Sequence, residues 1–374
     1  MKKIAVVTTT INVPVMIESY CKNAISFKRK EDIEFFVIGD KKTPKEAPGY
    51  CEKLTSQYDF PVHYLSLIDQ ERELKDYPKL LKIFPYNNAD RKLLANILAY
   101  IRGFDTIITV DDDNYATDQD VFKYHGMAGT EQELKCIESP TGWYNACDQL
   151  IEKSGMPIYH RGLPWSKRSY IEKEKIKIRK IKGKVVINAG FWLGDPDVDA
   201  VSRLYWPVRC TGMKKELAPT FGLCPGTWCV FNNQNTAMAR EITPAYLTPP
   251  NSIRFSDLFP AYVICKIASH LNHIIAYGYP FADHPRNPHN LWKDMEKEMI
   301  GAQACEPFIE MLRSAELKSK NYHDCLGELN NHFETKKNIV KKLPKDQSDM
   351  LMDFINNLKT YHAVFDSIHE NIKK

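Results

Sequence analysis

Three consecutive aspartates, Asp111-Asp112-Asp113, stand directly after the apolar, β-branched run Thr106-Ile107-Ile108-Thr109-Val110. Carboxylates stacked at a strand end repel one another, and a bound divalent cation relieves that repulsion. Oxygen-rich sites suit hard cations such as Mg2+ or Mn2+, which also bridge phosphate oxygens. A nucleoside diphosphate leaving a sugar needs that neutralisation, because negative charge grows on it as the bond breaks. A solvated Asp-rich turn or a helix N-cap is the plain alternative. The strand that runs straight into the triplet favours the metal site, with Asp111 and Asp113 as ligands and Asp112 beside the donor.

Other residues could complete such a site. His284, in Phe281-Ala282-Asp283-His284-Pro285, is a possible third ligand from a distant loop, or a structural histidine. Asp40 follows the apolar run Ile33 to Ile38 and Gly39. It could hold a base or ribose, or simply occupy a turn. Asp257 either caps a helix or serves as catalytic base or acceptor contact. Arg161 and Arg168 bracket Gly162-Leu163-Pro164-Trp165-Ser166-Lys167. Each could cap a loop or clamp a diphosphate, since guanidinium geometry matches phosphate oxygens.

The elements that must position these residues are legible in outline. Ile4-Ala5-Val6-Val7-Thr8-Thr9 and Ile33-Glu34-Phe35-Phe36-Val37-Ile38 read as buried parallel strands, with Val62-His63-Tyr64-Leu65 as a third. Helical spacing runs over Val15 to Phe27 and over Lys92 to Ile101. Strands alternating with helices predict an α/β fold with a mostly parallel sheet flanked by helices. Ligands of such sheets bind beyond the carboxyl ends of the strands, where Asp40 and Asp111 to Asp113 stand. Pro140 to Gly226 is dense in Trp, Pro and Gly and suits the substrate side of a cleft, with short strands expected at Val185 to Ile187 and Trp228 to Phe231. From Pro307 onward the pattern is helical and polar, with Leu312, Leu326, Leu329, Leu351 and Phe354 as seam residues. The expected division is a catalytic domain over 1–306 and a helical appendage over 307–374.

Composition narrows the class. The 374 residues are 43% hydrophobic and 26% charged, ordinary for a globular protein. A net charge of +4 demands no nucleic-acid-binding surface. The basic stretches Arg161 to Lys184 and the last forty residues read as solvated faces, with membrane contact peripheral at most. No run approaches the roughly 18 apolar residues of a membrane span. Ten cysteines without a CxxC pair suggest free thiols in a reducing cytoplasm. A homo-oligomer is compatible with all of this.

Several blocks carry a family resemblance. Tyr159-His160-Arg161-Gly162-Leu163-Pro164-Trp165-Ser166-Lys167-Arg168 resembles the Arg-Gly-Tyr-Pro-Phe-Ser-Leu-Arg stretch of the reversibly glycosylated polypeptides, which include the plant UDP-arabinopyranose mutases. Ile108 to Asn114 resembles that family's Asp-triplet strand. Gly190-Phe191-Trp192-Leu193-Gly194-Asp195-Pro196-Asp197-Val198-Asp199-Ala200 is similar to its Gly-Leu-Trp-Leu-Asn-Ile-Pro-Asp-Tyr-Asp-Ala segment. Arg254-Phe255-Ser256-Asp257 looks like its Arg-Tyr-Asp-Asp, and His284 falls where the family has His-Ser-Lys. The five blocks keep their order across residues 100 to 310.

The resemblance implies a GT-A-like nucleotide-sugar fold, a UDP-type donor, a divalent cation (Mn2+ or Mg2+), and reversible glycosylation at the position of Arg161. Trp192, Asp195 and Asp197 become candidates for lining the donor pocket. Ser256 departs from the family's Asp, and Phe259-Pro260 from its Trp-Ala, so the acid-base pair and the sugar pocket differ. The function expected is a metal-dependent glycosyltransferase that moves sugar from a UDP-sugar to a glycan or small-molecule acceptor, in polysaccharide or glycoconjugate biosynthesis. The alternatives are a UDP-sugar pyranose/furanose mutase working through Arg161, and a noncatalytic sugar-nucleotide-binding partner.

Overall fold

A computed structural model describes residues 2–29, 33–168, 176–286 and 289–373, the side chain of Ile253 excepted. Its strands are β1 (Ile4–Thr9), β2 (Ile33–Ile38), β3 (Val62–Leu65), β4 (Thr106–Val110), β5 (Tyr115–Ala116), β6 (Thr130–Glu138), β7 (Leu150–Glu152), β8 (Lys177–Gly194), β9 (Cys210–Met213), β10 (Thr220–Leu223), β11 (Asn235–Ala239) and β12 (Ile274–His284). They form one sheet in the order β3-β2-β1-β4-β11-β8-β6-β10-β12-β5, with β7 and β9 paired beside β8. The helices are α1 (Ile17–Ser26), α2 (Ala47–Tyr58), α3 (Leu67–Glu73), α4 (Pro78–Ile83), α5 (Lys92–Ile101), α6 (Val121–His125), α7 (Trp165–Arg168), α8 (Ala200–Tyr205), α9 (Leu258–His270), α10 (Leu291–Ser314), α11 (Tyr322–Val340) and α12 (Lys345–Ile372).

The α/β architecture follows the expectation, and its parallel part is the amino-terminal half. There β1 pairs in parallel with β2 and β4, and β2 with β3. β4 is buried along its whole length, as its unbroken apolar run requires. Beyond β4 the sheet is mixed: β11 runs antiparallel to both β4 and β8, while β12 runs parallel to β8. The strand anticipated at Trp228 to Phe231 is not one; that buried stretch makes a single bridge, Trp143 to Trp228, and the strand comes later as β11. Asn235, Thr236 and Ala237 lack the apolar continuity that sequence reading looks for. The short strand at Val185 to Ile187 is the buried middle of the much longer β8.

Register decides what meets at the rim. β11 opposes Asn235 to Val110, and β8 brings Ala189 opposite Thr236. β12 places His284 opposite Gly194. The carboxyl ends of β1, β4, β8 and β12 and the amino end of β11 therefore share one edge. Asn235 holds that edge shut, donating to the carbonyls of Phe191 and Pro280 at 3.1 and 3.0 Å. Gly190 makes the approach possible, since a Cβ there would lie 2.4 Å from Asn235 Nδ2 and 2.5 Å from the Pro280 oxygen. Beneath, burial lowers His125 to about 4, so a neutral ring joins Asn235 and Asn188.

The expected division at residues 306 and 307 falls inside α10, which runs unbroken from Leu291 to Ser314. Phe308 of α10 and Phe354 of α12 pack on Phe259 of α9, with ring centroids 5.3 and 5.5 Å away. Tyr361 donates to the Thr243 carbonyl at 2.8 Å. The terminal helices and the sheet share one apolar core. Among the described residues no helix is long and apolar enough to cross a membrane, and all ten cysteines are buried thiols. Phe354→Ala should cost about 3–5 kcal/mol. Far-UV circular dichroism and tryptophan fluorescence should report one coincident urea transition; two separate transitions would show that the terminal helices fold on their own.

Candidate active site

The rim encloses a recess of about 140 Å3 that takes residues from six stretches of chain: Asp111 and Asp113, Arg161, Asp197 with Arg203, Gln234, Arg254 with Asp257, and His284 with Arg286 and His289. Of the sequence candidates, the fold thus brings together Asp111, Asp113, Arg161, Asp197, Asp257 and His284.

The triplet divides its work. Asp111 takes a buried partner, Lys92 at the start of α5, whose Nζ lies 2.5 Å from Asp111 Oδ1 and 2.7 Å from the Asn233 carbonyl. Only 3% of the lysine side chain is exposed. Surrounding protein raises the Asp111 pKa, with Asp113 and Asp112 adding to the rise and Lys92 opposing it. Asp112 turns back to β1, accepting from Thr10 Oγ1 at 2.7 Å and Asn12 Nδ2 at 3.2 Å. Asp113 faces His284, with Oδ2 3.4 Å from Nε2.

His284 is oriented for that role. Its Nδ1 lies 2.6 Å from the Asp195 carbonyl, which can only accept, so Nδ1 carries the proton. In the neutral ring Nε2 then turns a lone pair toward the Asp113 carboxylate and the Gln234 amide, the latter 3.3 Å away. Two facing lone-pair donors at this separation fit a shared octahedral cation, whose neighbouring ligands stand about 3 Å apart at bond lengths near 2.1 Å. Asp113 and His284 are the residues that would hold such an ion. Asp111 lines the same recess with its side chain 42% exposed, one of its oxygens paired with Lys92.

Among the described residues, the one group of three metal-type side chains whose ligand atoms lie within 4.8 Å of one another is elsewhere: His323, His362 and Asp366. The two imidazoles there stack in parallel, 2° apart. Their in-plane lone pairs do not converge on a common point.

Arg161 is engaged throughout. Nε and one terminal nitrogen grip Asp197 bidentately at 2.9 and 3.0 Å. The same nitrogen lies 3.2 Å from Asp257 Oδ2, and the other donates to the Arg254 carbonyl. Burial opposes the charge, but Asp197 and then Asp257 outweigh it and hold the guanidinium pKa well above its ordinary value. Burial alone would raise Asp197, yet Arg161 keeps it below the usual carboxylate range. A guanidinium held charged by two carboxylates offers no nitrogen lone pair for a sugar carbon. Asp257 stands before α9, but its side chain makes no capping bond, so the bland N-cap role is not the one it plays.

Five candidates do not line the recess: Asp112, which turns to Thr10 and Asn12, and Arg168, Trp192, Asp195 and Asp40. Arg168 pairs with Asp199 and stacks over Trp165, 4.1 Å from the ring centroid, in a separate apolar cavity of about 470 Å3. Trp192 is packed in the core beside Phe191 and His160, only 2% exposed. Asp195 accepts from Arg203 and Arg286 and shapes the recess through them. Asp40 sits further along the rim, where its Oδ1 accepts from the Lys41 amide at 2.7 Å. It is linked to the triplet through Thr43, the Thr10 carbonyl and the Thr10 hydroxyl on Asp112.

Sequence reading missed Lys92, Arg203, Arg286 and Gln234. Lys92 did carry a signal: it is a charged residue heading the otherwise apolar helix LLANILAYI. Arg254, inside a quoted motif, was also passed over; it pairs with Glu298 of α10 at 2.7 Å. Arg286 pairs with Asp195 and Asp294.

No family model matches the chain, and no curated protein is similar to it at a significant level. Among solved structures it is similar to glucosyl-3-phosphoglycerate synthase from Mycobacterium tuberculosis. In the complex of that enzyme with phosphoglyceric acid the identity is 11% and the TM-score 0.42, covering 82% of this chain and 80% of that one. The complex with Mn2+, UDP-glucose and glycerol 3-phosphate gives 10% and 0.41 over the same shares. A further structure, described as a mycobacterial protein, gives 12% and 0.40 over 82% and 74%. The likeness is distant.

Asp90, buried behind Asp257, provides a test of the site's electrostatics. Burial pushes its pKa up to about 7, against hydrogen bonds from Ser256 and Thr248 that pull it down. The folded chain therefore binds this proton more tightly than the unfolded chain, whose carboxyl titrates near about 4. Stability from this group is complete below about pH 4 and is lost as pH rises through about 7. Urea unfolding near pH 5 and near pH 8 should show that loss in the native chain and much less of it in Asp90→Asn.

Proposed function

We propose that this chain is a metal-dependent glycosyltransferase using a nucleotide-sugar donor, a UDP-sugar by its motif resemblance. The observation that carries the reading is the Asp113 and His284 pair. Both present lone pairs to one point at the carboxyl rim of the sheet, beside a recess walled by arginines. Mg2+ or Mn2+ held there would neutralise charge developing on a departing diphosphate.

The chain's own residues do the rest. Arg203, Arg254 and Arg286 line the recess, each fixed by a carboxylate, and would offer remaining N–H groups to diphosphate oxygens beside the metal. Asp40 and Asp112, joined through Thr10, mark the stretch of rim for the ribose and base. Asp197 and Asp257 hold Arg161, and Arg161 in turn fixes the separation between the β8 and α9 ends of the recess. Asp195 orients His284 through its backbone carbonyl. The transferase reading is preferred to ring interconversion through an arginine-bound sugar, because Arg161 is committed to two carboxylates and a carbonyl. A glycan or small-molecule acceptor would approach from the open side of the recess.

Calorimetry of UDP with and without manganese tests this. The native chain should bind UDP on the order of a hundredfold more tightly with the ion, as a phosphate-bridging metal supplies several kcal/mol. Asp113→Ala should bind equally with or without it. Asp112→Ala, whose carboxylate turns to Thr10 and Asn12, should keep the manganese dependence. UDP affinity in the native chain that ignores manganese would sink the proposal.

A further inference from the structure

We infer that Tyr205 and Trp206 form a docking platform for a saccharide acceptor at the mouth of the recess. The inference rests on the transferase reading and adds to it the class of acceptor. Tyr205 is 75% exposed, the most of any large apolar side chain among the described residues, and Trp206 beside it is 40% exposed. Single exposed aromatics are ordinary on protein surfaces. These two are consecutive, and both face a second cavity of about 400 Å3.

That cavity adjoins the recess, because Arg203, Arg286 and His289 line both. A molecule lying on the two rings would therefore be separated from the donor recess only by the side chains of Arg203, Arg286 and His289. The platform is also pinned in place. Asp199 caps α8, its side chain accepting from the Ser202 amide at 2.7 Å. Glu298 of α10 takes the Ala200 amide at 2.7 Å. Arg203 ties the middle of the helix to Asp195 and to the carbonyls of Pro196 and Val198. The Trp206 amide donates to the Ser202 carbonyl at 2.9 Å, and Pro207 stops the helix there. A backbone held this firmly fixes where the two rings project and limits the ordering that a ligand must impose.

The lining selects the ligand. A pyranose or furanose presents C–H groups on its faces and hydroxyls around its edge. Aromatic faces take the first, and charged or polar groups at the rim take the second. Here the rings stand beside Arg209, His289, Arg286 and Asp195. An acyl chain would take water from those charged groups and return no hydrogen bond to them, so the mixed lining favours a sugar over a lipid tail.

A glycan array probed with labelled protein in the presence of UDP and manganese tests the platform. The native chain should bind at least one class of printed saccharide. Tyr205→Ala/Trp206→Ala should lower that signal about tenfold or more, from the loss of two stacking faces. Its affinity for UDP with manganese should stay within about twofold of native, which shows that the fold and donor side are intact. Trp206→Leu, which keeps apolar bulk without a wide ring, should lose saccharide binding in the same direction and covers failure of the double variant to fold. Saccharide binding that survives these substitutions, or a native chain that binds no printed saccharide, overturns the platform. Hydrolysis of UDP-sugars by water separates the two readings. Native hydrolysis with no saccharide binding rejects the platform alone, whereas manganese-independent UDP binding without any hydrolysis rejects the transferase beneath it.

Discussion

Carboxylates forced together at one sheet rim must be neutralised, and this requirement organises the molecule around the recess. Asp111, Asp113, Asp197 and Asp257 all line it. Lys92, brought up from the start of α5, answers Asp111. Arg161 answers Asp197 and Asp257 together, each of its N–H groups directed at an oxygen. Such buried cations cost desolvation and seldom add net stability, but removing one partner leaves the other uncompensated. They hold the rim in a single arrangement, in which Asp113 and His284 face each other.

The surrounding scaffold serves that arrangement. β11 enters against β4 in the antiparallel sense, so its leading residues, Asn232 to Gln234, arrive over the triplet instead of leaving it. The Asn235 amide bridges β8 and β12 just below the rim, where Gly190 leaves room. α10 contributes Asp294 and Glu298, both buried, which hold Arg254 and Arg286 at the recess and cap α8. The terminal helices are thus continuous with the site they flank, and their phenylalanines extend the same core.

What could be read in advance follows from physics that acts locally. β1, β2 and β4 are dominated by apolar and β-branched residues, and α5 begins and ends where its composition changes. The triplet and Asp40 were placed on one rim by the rule for parallel strands alone. His284, Asp197, Asp257 and Arg161 reached the recess through motif resemblance and chemistry. What the sequence does not show concerns pairings set at long range. Nothing in the segment around Arg168 tells that Asp199 will pair with it, and nothing near Trp192 tells that its indole is buried in the core. Lys92 and Asp111 are 19 positions apart, and only the packing of α5 against β1 and β4 makes them partners. The strand β11 is hidden in the sequence because it opens on Asn235 and Thr236, polar residues that are nonetheless buried, Asn235 with its side-chain amide hydrogen-bonded to two carbonyls.

The account rests on one ion bridging the Asp113 and His284 pair to a diphosphate. Pulsed electron paramagnetic resonance of the chain with Mn2+ and UDP reads both contacts at once. The account predicts a nitrogen coupling from one histidine ring that vanishes in His284→Ala, together with a phosphorus coupling from the nucleotide. Manganese that shows phosphorus without nitrogen, or no bound signal at all when UDP is present, would contradict it.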